Sequence, residues 1–219
     1  MTNKKALFLA ILSLFLSQNA SAFCDKIATR VQITTNPGNV QYITTLSRSD
    51  FIQGKKHKVS PNTLGLTVAD LSISISGKTQ PKIERQGKQI CVSLDTLAFK
   101  MGYEKGGLKV YIDKKYKPGS CEYEVIREHE NYHVAVAQQA MLFFKPDIEA
   151  KIHEIISNMR PQIVTSEKDI DKVIQEQTKH VITELTPLLT HINQTIAKKN
   201  AQIDTPESYE KTQALCKNW

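Results

Sequence analysis

His129 and His133 stand four residues apart, and Glu130 directly follows the first of them, within the segment Ile-Arg-Glu-His-Glu-Asn-Tyr-His-Val-Ala, residues 126–135. On an α-helix, residues four apart share a face one turn apart, so both imidazoles can aim at one point. Two nitrogen ligands at that spacing suit zinc. Glu130 lies about a third of a turn round the helix, where its carboxylate can reach a water near the ion without being a ligand. Zinc lowers the pKa of a water to about 7 and polarises a carbonyl, and a carboxylate beside it takes the proton. The expected roles are therefore His129 and His133 as metal ligands, Glu130 as catalytic base, Zn2+ as cofactor and hydrolysis as the reaction. With 6 His in 219 residues, the His-Glu-x-x-His pattern arises by chance only about 0.01 times in such a chain. The competing reading is a pair of structural histidines satisfied by backbone or carboxylate contacts.

The elements that must position these residues can be read from periodicity. After Lys117-Pro118-Gly119, Ser120 can cap a helix, and Tyr123, Ile126, His129, His133, Ala137 and Met141 recur at three- and four-residue steps. Both histidines thus fall on the inward stripe. Phe143-Phe144-Lys145-Pro146 is expected to end this helix, with Pro146 opening a second one that runs to about Arg160. Ser166-x-x-Asp169 resembles a capping box and opens a long helix to about residue 202. Its apolar stripe is Ile170, Val173, Val181, Leu185, Leu188, Ile192 and Ile196, with a kink expected at Pro187. Thr205-Pro206-Glu207 starts a final helix that carries Cys216.

From about residue 30 to 113 the period is two instead. Leu71-Ser72-Ile73-Ser74-Ile75 and Leu108-Lys109-Val110-Tyr111-Ile112 alternate apolar with polar, as half-buried strands do. Val31 to Thr35 and Val40 to Thr44, separated by Asn36-Pro37-Gly38-Asn39, read as a hairpin, and Lys88 to Leu94 as a further strand. The expected fold class is α+β: an antiparallel-rich sheet in residues 23–117, then a helical half in 118–219, together one domain.

Residues 1–22 read as a cleavable signal peptide. Lys4 and Lys5 precede an apolar run of about 11 residues, too short to span a bilayer, and Ala20-Ser21-Ala22 offers a small-x-small cleavage site. Phe23 before Cys24 argues against lipidation. Four cysteines, Cys24, Cys91, Cys121 and Cys216, follow that site, so two disulfides are expected in one of three pairings. The expected location is the periplasm or the extracellular medium, with no stable membrane insertion after signal cleavage. Net charge is +7 for the whole chain. The basic tracts Gly54-Lys55-Lys56-His57-Lys58 and Lys114-Lys115-Tyr116-Lys117 lack the interleaved aromatics of a single-strand-binding groove, so nucleic acid is not an expected partner. Asn193-Gln194-Thr195 matches a glycosylation triplet, but within a helical pattern.

His129-Glu130-Asn131-Tyr132-His133 resembles the signature helix of the zincin metallopeptidases. The stretch from Gly119 through Val136 is similar to a family of uncharacterised exported bacterial proteins predicted to be zinc-dependent proteases. That resemblance implies His129 and His133 as zinc ligands, Glu130 as general base, and a peptide bond as the bond cleaved. Catalytic zinc takes three protein ligands and keeps one position open. The metzincin continuation would place Gly at 136 and His at 139, where Val136 and Gln139 stand. A gluzincin-like third ligand would be Glu149 or Glu154. The third ligand is open among Glu149, His153, Glu154, Asp204, Glu207 and Glu210, with His180 and His191 as further candidates and Tyr209 as a possible oxyanion stabiliser. Two other functions are compatible with the same residues: a non-enzymatic envelope binding protein on a degenerate zincin-like fold, and a hydrolase of cell-wall amides. The expected partners are a peptide, protein or cell-wall substrate.

Overall fold

A computed structural model describes residues 23–25, 28–53, 63–75, 79–103, 107–217 and 219. The signal peptide expected at 1–22 and the basic tract at 54–58 lie outside the described residues. In chain order the elements are β1 (Arg30–Asn36), β2 (Val40–Ile43), α1 (Arg48–Ile52), β3 (Gly65–Val68), β4 (Leu71–Ile75), β5 (Gln80–Gln86), β6 (Gln89–Tyr103) and β7 (Leu108–Ile112). There follow α2 (Cys121–Asn158), β8 (Gln162–Val164), a 3-10 turn (Glu167–Asp169), α3 (Ile170–Ile203) and α4 (Pro206–Ala214). Strands come first and helices second, so the fold is α+β.

The strands form two sheets. In one, β6 lies between β1 and β4 and also pairs with β5 and β8; the other has the order β2-β7-β3. The expected hairpin of β1 and β2 does not form, because the two strands belong to different sheets. Asn36 Oδ1 accepts from Gly38 N at 3.0 Å, turning the chain at a left-handed glycine with φ 76°. Leu108 N then donates to Asn39 O at 3.1 Å, and Val40 pairs with Leu108 to start a parallel ladder. Gly107 sits so close to this turn that a Cβ there would lie 2.2 Å from Asn39 O. Only glycine fits.

β6 runs for 15 residues rather than the 7 expected, and is buried over most of its length on both faces. Alternation is the signature of a half-buried strand, so a strand covered on both sides loses it. β8, three residues long, carries no periodic signal and was not expected.

Contacts divide the chain into two units. The first comprises residues up to Gln32, Ile75–Ala98 and His153–Val181. Its core gathers Ile90 and Val92 of β6 with Ile170 and Val173 of α3. The disulfide Cys24–Cys91 lies within it, and β5 and β8 both run antiparallel to this part of β6.

The second unit comprises Ile33–Ser74, Phe99–Ile152 and Ile182–Trp219. Phe99, Met101, Leu108 and Ile112 of its strands are fully buried, as are Ile126, Ala137, Ile148, Leu185 and Ile192 of its helices. Tyr103 donates its hydroxyl hydrogen to Ala137 O. The disulfide Cys121–Cys216 is contained here, so all four cysteines are paired. The Asn193 carboxamide accepts from Leu71 N at 3.1 Å and donates to Leu71 O at 3.0 Å, which commits to β4 the side chain of the apparent glycosylation triplet.

α2 does not stop at Pro146. It is one helix of 38 residues with the proline inside it. An interior proline removes one backbone hydrogen bond and costs about 3 kcal/mol. Ile148 and Ile152 beyond it are fully buried, and burying two such side chains contributes a comparable amount. The 3-10 turn before α3 is capped by Ser166 Oγ, which accepts from Lys168 N at 3.3 Å.

Candidate metal centre

Every residue of the centre lies in the second unit. Ser120 Oγ accepts from Tyr123 N at 3.2 Å, fixing the start of α2. The stripe Tyr123, Ile126, His129, His133, Ala137 and Met141 is buried throughout. Both imidazoles are thereby carried inward, 7 % and 4 % exposed. Their rings lie 5.2 Å apart, at 73° to one another.

The residue opposite them is Asp204, between the last turn of α3 and the first of α4. Asp204 N donates to Asn200 O at 3.1 Å, and Thr205 Oγ1 accepts from Ser208 N at 3.2 Å to cap α4. This junction places Asp204 Oδ1 3.1 Å from His129 Nε2 and 3.1 Å from His133 Nε2. The ligand atoms of the three residues lie within 4.8 Å of one another. Asp204 is the accessible member, with 38 % of its side chain exposed. Two imidazole nitrogens and one carboxylate oxygen, open on one side, can hold a metal ion.

Of the six candidates for the third position, the structure brings only Asp204 to the histidines among the described residues. Glu207 pairs with Lys211 at 2.7 Å and Glu149 with Lys145 at 3.0 Å. His153, Glu154 and Glu210 lie outside the group, and His180 and His191 are exposed on α3. Tyr209 enters the centre: its hydroxyl donates to Asp204 Oδ1 at 2.8 Å and its ring lies 5.2 Å from that of His129.

Glu130 is 2 % exposed. Thr67 Oγ1, on β3, donates to its Oε2 at 2.7 Å. A Cβ on Gly65, two residues earlier in the same strand, would lie 2.7 Å from Glu130 Oε1. The strand therefore fits around the carboxylate. Neither residue was legible as part of a site, although a glycine inside a strand is a local signal of close approach.

The charges of the centre are coupled. Burial pushes the Glu130 carboxyl up, partly opposed by the charge of His133 and the Thr67 hydrogen bond. Burial alone would raise Asp204, but the hydrogen bonds from His129 and His133 outweigh it and hold its carboxyl well below the usual range. For His133, burial disfavours the imidazolium, yet the Asp204 hydrogen bond and the Glu130 charge leave its pKa raised. Burial raises the Tyr209 phenol, so it stays protonated as a donor. His133 Nδ1 and Asn200 Oδ1 are both buried without a hydrogen-bond partner among the described residues, and Asn200 lies near enough to favour charge on the ring.

Among the described residues His129 borders both a tight gap and an open cleft. A narrow crevice is lined by Gly65, Ile126, His129, Glu130 and Tyr209. A wider cleft of about 600 Å³ runs along Val125, His129, Tyr132, Ile203, Ser208 and Leu215. Compared with protein-family models, curated proteins and solved structures, the chain matches none of them.

Proposed function

We propose that this protein is a zinc-dependent peptidase acting outside the cytoplasm, as the resemblance of its His-Glu-x-x-His helix to the zincins implies. The observation that carries the reading is the convergence of His129, His133 and Asp204 on one point, with the buried carboxylate of Glu130 on the intervening turn of the same helix. The donor set fits zinc: nitrogen and oxygen ligands, three from protein, one side open. Bound there, zinc supplies a Lewis acid that polarises a carbonyl and acidifies water near neutral pH.

The remaining steps belong to side chains of this chain. Glu130 accepts the proton of the attacking water; its burial makes it a stronger base than an exposed glutamate, and the Thr67 hydroxyl holds its Oε2. Tyr209 holds Asp204 in place and keeps its proton for donation. Two disulfides suit an oxidising compartment. No helix among the described residues is long and apolar enough to cross a membrane.

The test begins with metal content, measured by mass spectrometry on residues 23–219 purified without chelator or histidine tag, beside His133→Ala. About one zinc per chain, absent from the variant, is the expected result. No zinc after reconstitution would make the histidines structural. Glu130→Gln should then keep its zinc and lose hydrolysis of mixed peptides, with cell-wall fragments assayed alongside; a variant as active as the parent would sink the peptidase reading.

A further inference from the structure

The cleft beside His129 has a charge imbalance that its surroundings do not correct. Glu128 and Glu207 line it, and Asp204 falls between its lining residues Ile203 and Thr205. Asp204 is engaged by both imidazoles and Tyr209. Glu207 is held by Lys211 at 2.7 Å. Glu128 is left: it lines the cleft, is exposed, and has no partner among the described residues. In a chain of net charge +7, the lone unneutralised charge of this cleft is negative.

The walls around it are apolar. Val125 lies one helical turn from Glu128 on α2, with Ile203 and Leu215 also lining the cleft, and Leu215 is 67 % exposed despite being a leucine. The volume of about 600 Å³ lies within the range of small-ligand sites and exceeds one side chain. An apolar side chain seated there would cover the walls but strip water from Glu128 without replacing it. An acidic one would meet like charge, because Lys211 is already committed to Glu207. A long basic side chain satisfies both requirements: its methylene stem lies on apolar surface while its charged head stays at the carboxylate.

We infer that this cleft is a specificity subsite for a lysine or arginine side chain of a polypeptide substrate, with Glu128 as the residue that selects the charge. The inference rests on the peptidase reading for the reaction, but not for the binding preference. Exposed ion pairs are modest, so the selectivity expected is about fivefold.

The experiment uses the zinc-loaded chain carrying Glu130→Gln, so that bound peptides persist. Fluorescent peptides identical except for one residue, which is Lys, Arg, norleucine or Glu and is walked through the sequence, are titrated by anisotropy. At one position Lys and Arg should bind about fivefold tighter than norleucine. Adding Glu128→Gln should bring that ratio to about one, and Glu128→Lys should favour Glu instead. Equal binding of Lys and norleucine peptides, a ratio that survives Glu128→Gln, or no peptide binding at all would overturn the subsite. A parallel hydrolysis assay with native Glu130 separates the two ideas. Cleavage without a basic preference removes the subsite and leaves the peptidase; basic-selective binding without cleavage does the reverse.

Discussion

Tyr209 donates its hydroxyl hydrogen to Asp204 Oδ1 at 2.8 Å, the same oxygen that both histidine side chains reach. Tyr209 is 4 % exposed, so the donor end of this bond is shielded from water although Asp204 is half-open to it. Tyr209→Phe keeps the ring against His129 and removes only the donor. Unfolding in denaturant should show a loss of about 1 kcal/mol. Zinc affinity should fall about tenfold, because a group that orients a ligand acts on the metal through it. Unaltered affinity by competition with a chromophoric chelator would mean that Asp204 is held by its backbone alone.

The pH dependence of stability should differ with and without metal. In the folded chain Glu130 and His133 are raised above their ordinary values, about 4.3 and 6.5. Each contribution is fully present below the unfolded value and is lost as pH rises through the folded one. Asp204 is lowered, so its contribution is present above about 3.9 and fades as pH falls toward the folded value. With chelator, Tm should be highest near pH 4 to 5 as far as these groups decide it, and should fall from pH 6 to 8. Metal binding needs neutral imidazoles and releases protons, so the gain in Tm on adding zinc should widen over that same range. Parallel melting curves with and without zinc would contradict this coupling.

Gly65 leaves no room for a side chain: a Cβ would press on the Glu130 carboxylate at 2.7 Å to 2.9 Å. Gly65→Ala should displace that carboxylate without touching a ligand. Zinc content should stay near one per chain while kcat falls by about 10²-fold, the scale of a misplacement near 1 Å. Loss of zinc together with activity would show that the strand supports the ligands instead.

Cys121 begins the helix that carries both histidines, and Cys216 follows the helix that carries Tyr209. Their bond closes a separation of 95 residues. Replacing both with alanine should cost about 2–4 kcal/mol of stability and weaken zinc binding in proportion to the opening of α4. A double variant with native Tm and zinc affinity would assign the clamp no role at the centre.

The centre was half legible in the sequence. His129, Glu130 and His133 announce themselves because their geometry is local: one helix turn relates them, and the surrounding stripe says which way they face. Asp204 was one of six candidates, since its place depends on how the α3 to α4 junction returns to α2, a relation between distant segments that no period encodes. The same distinction explains the strands. Those with one open face, such as Leu71–Ile75, show their alternation, whereas β6 is covered on both faces and reads short. β1 and β2 look like a hairpin because the turn between them is real; the bond from Leu108 N to Asn39 O then starts the pairing of β2 with β7. At Pro146 a local rule for ending a helix was overridden by the burial of Ile148 and Ile152.

Asp204 lies 71 residues beyond His133, and that separation would make any metal binding at this group a test of completed folding. A nascent chain possesses the two histidines as soon as one helical turn forms, yet two nitrogens alone make a poor cage. The third donor arrives only when the chain has closed a long loop and set the junction after α3. Because an ion that binds the native state and not the unfolded one stabilises it by mass action, the folded form that completes the cage is also the form that metal retains. A chain that misfolds lacks the junction after α3 and so has only the two histidines to offer an ion.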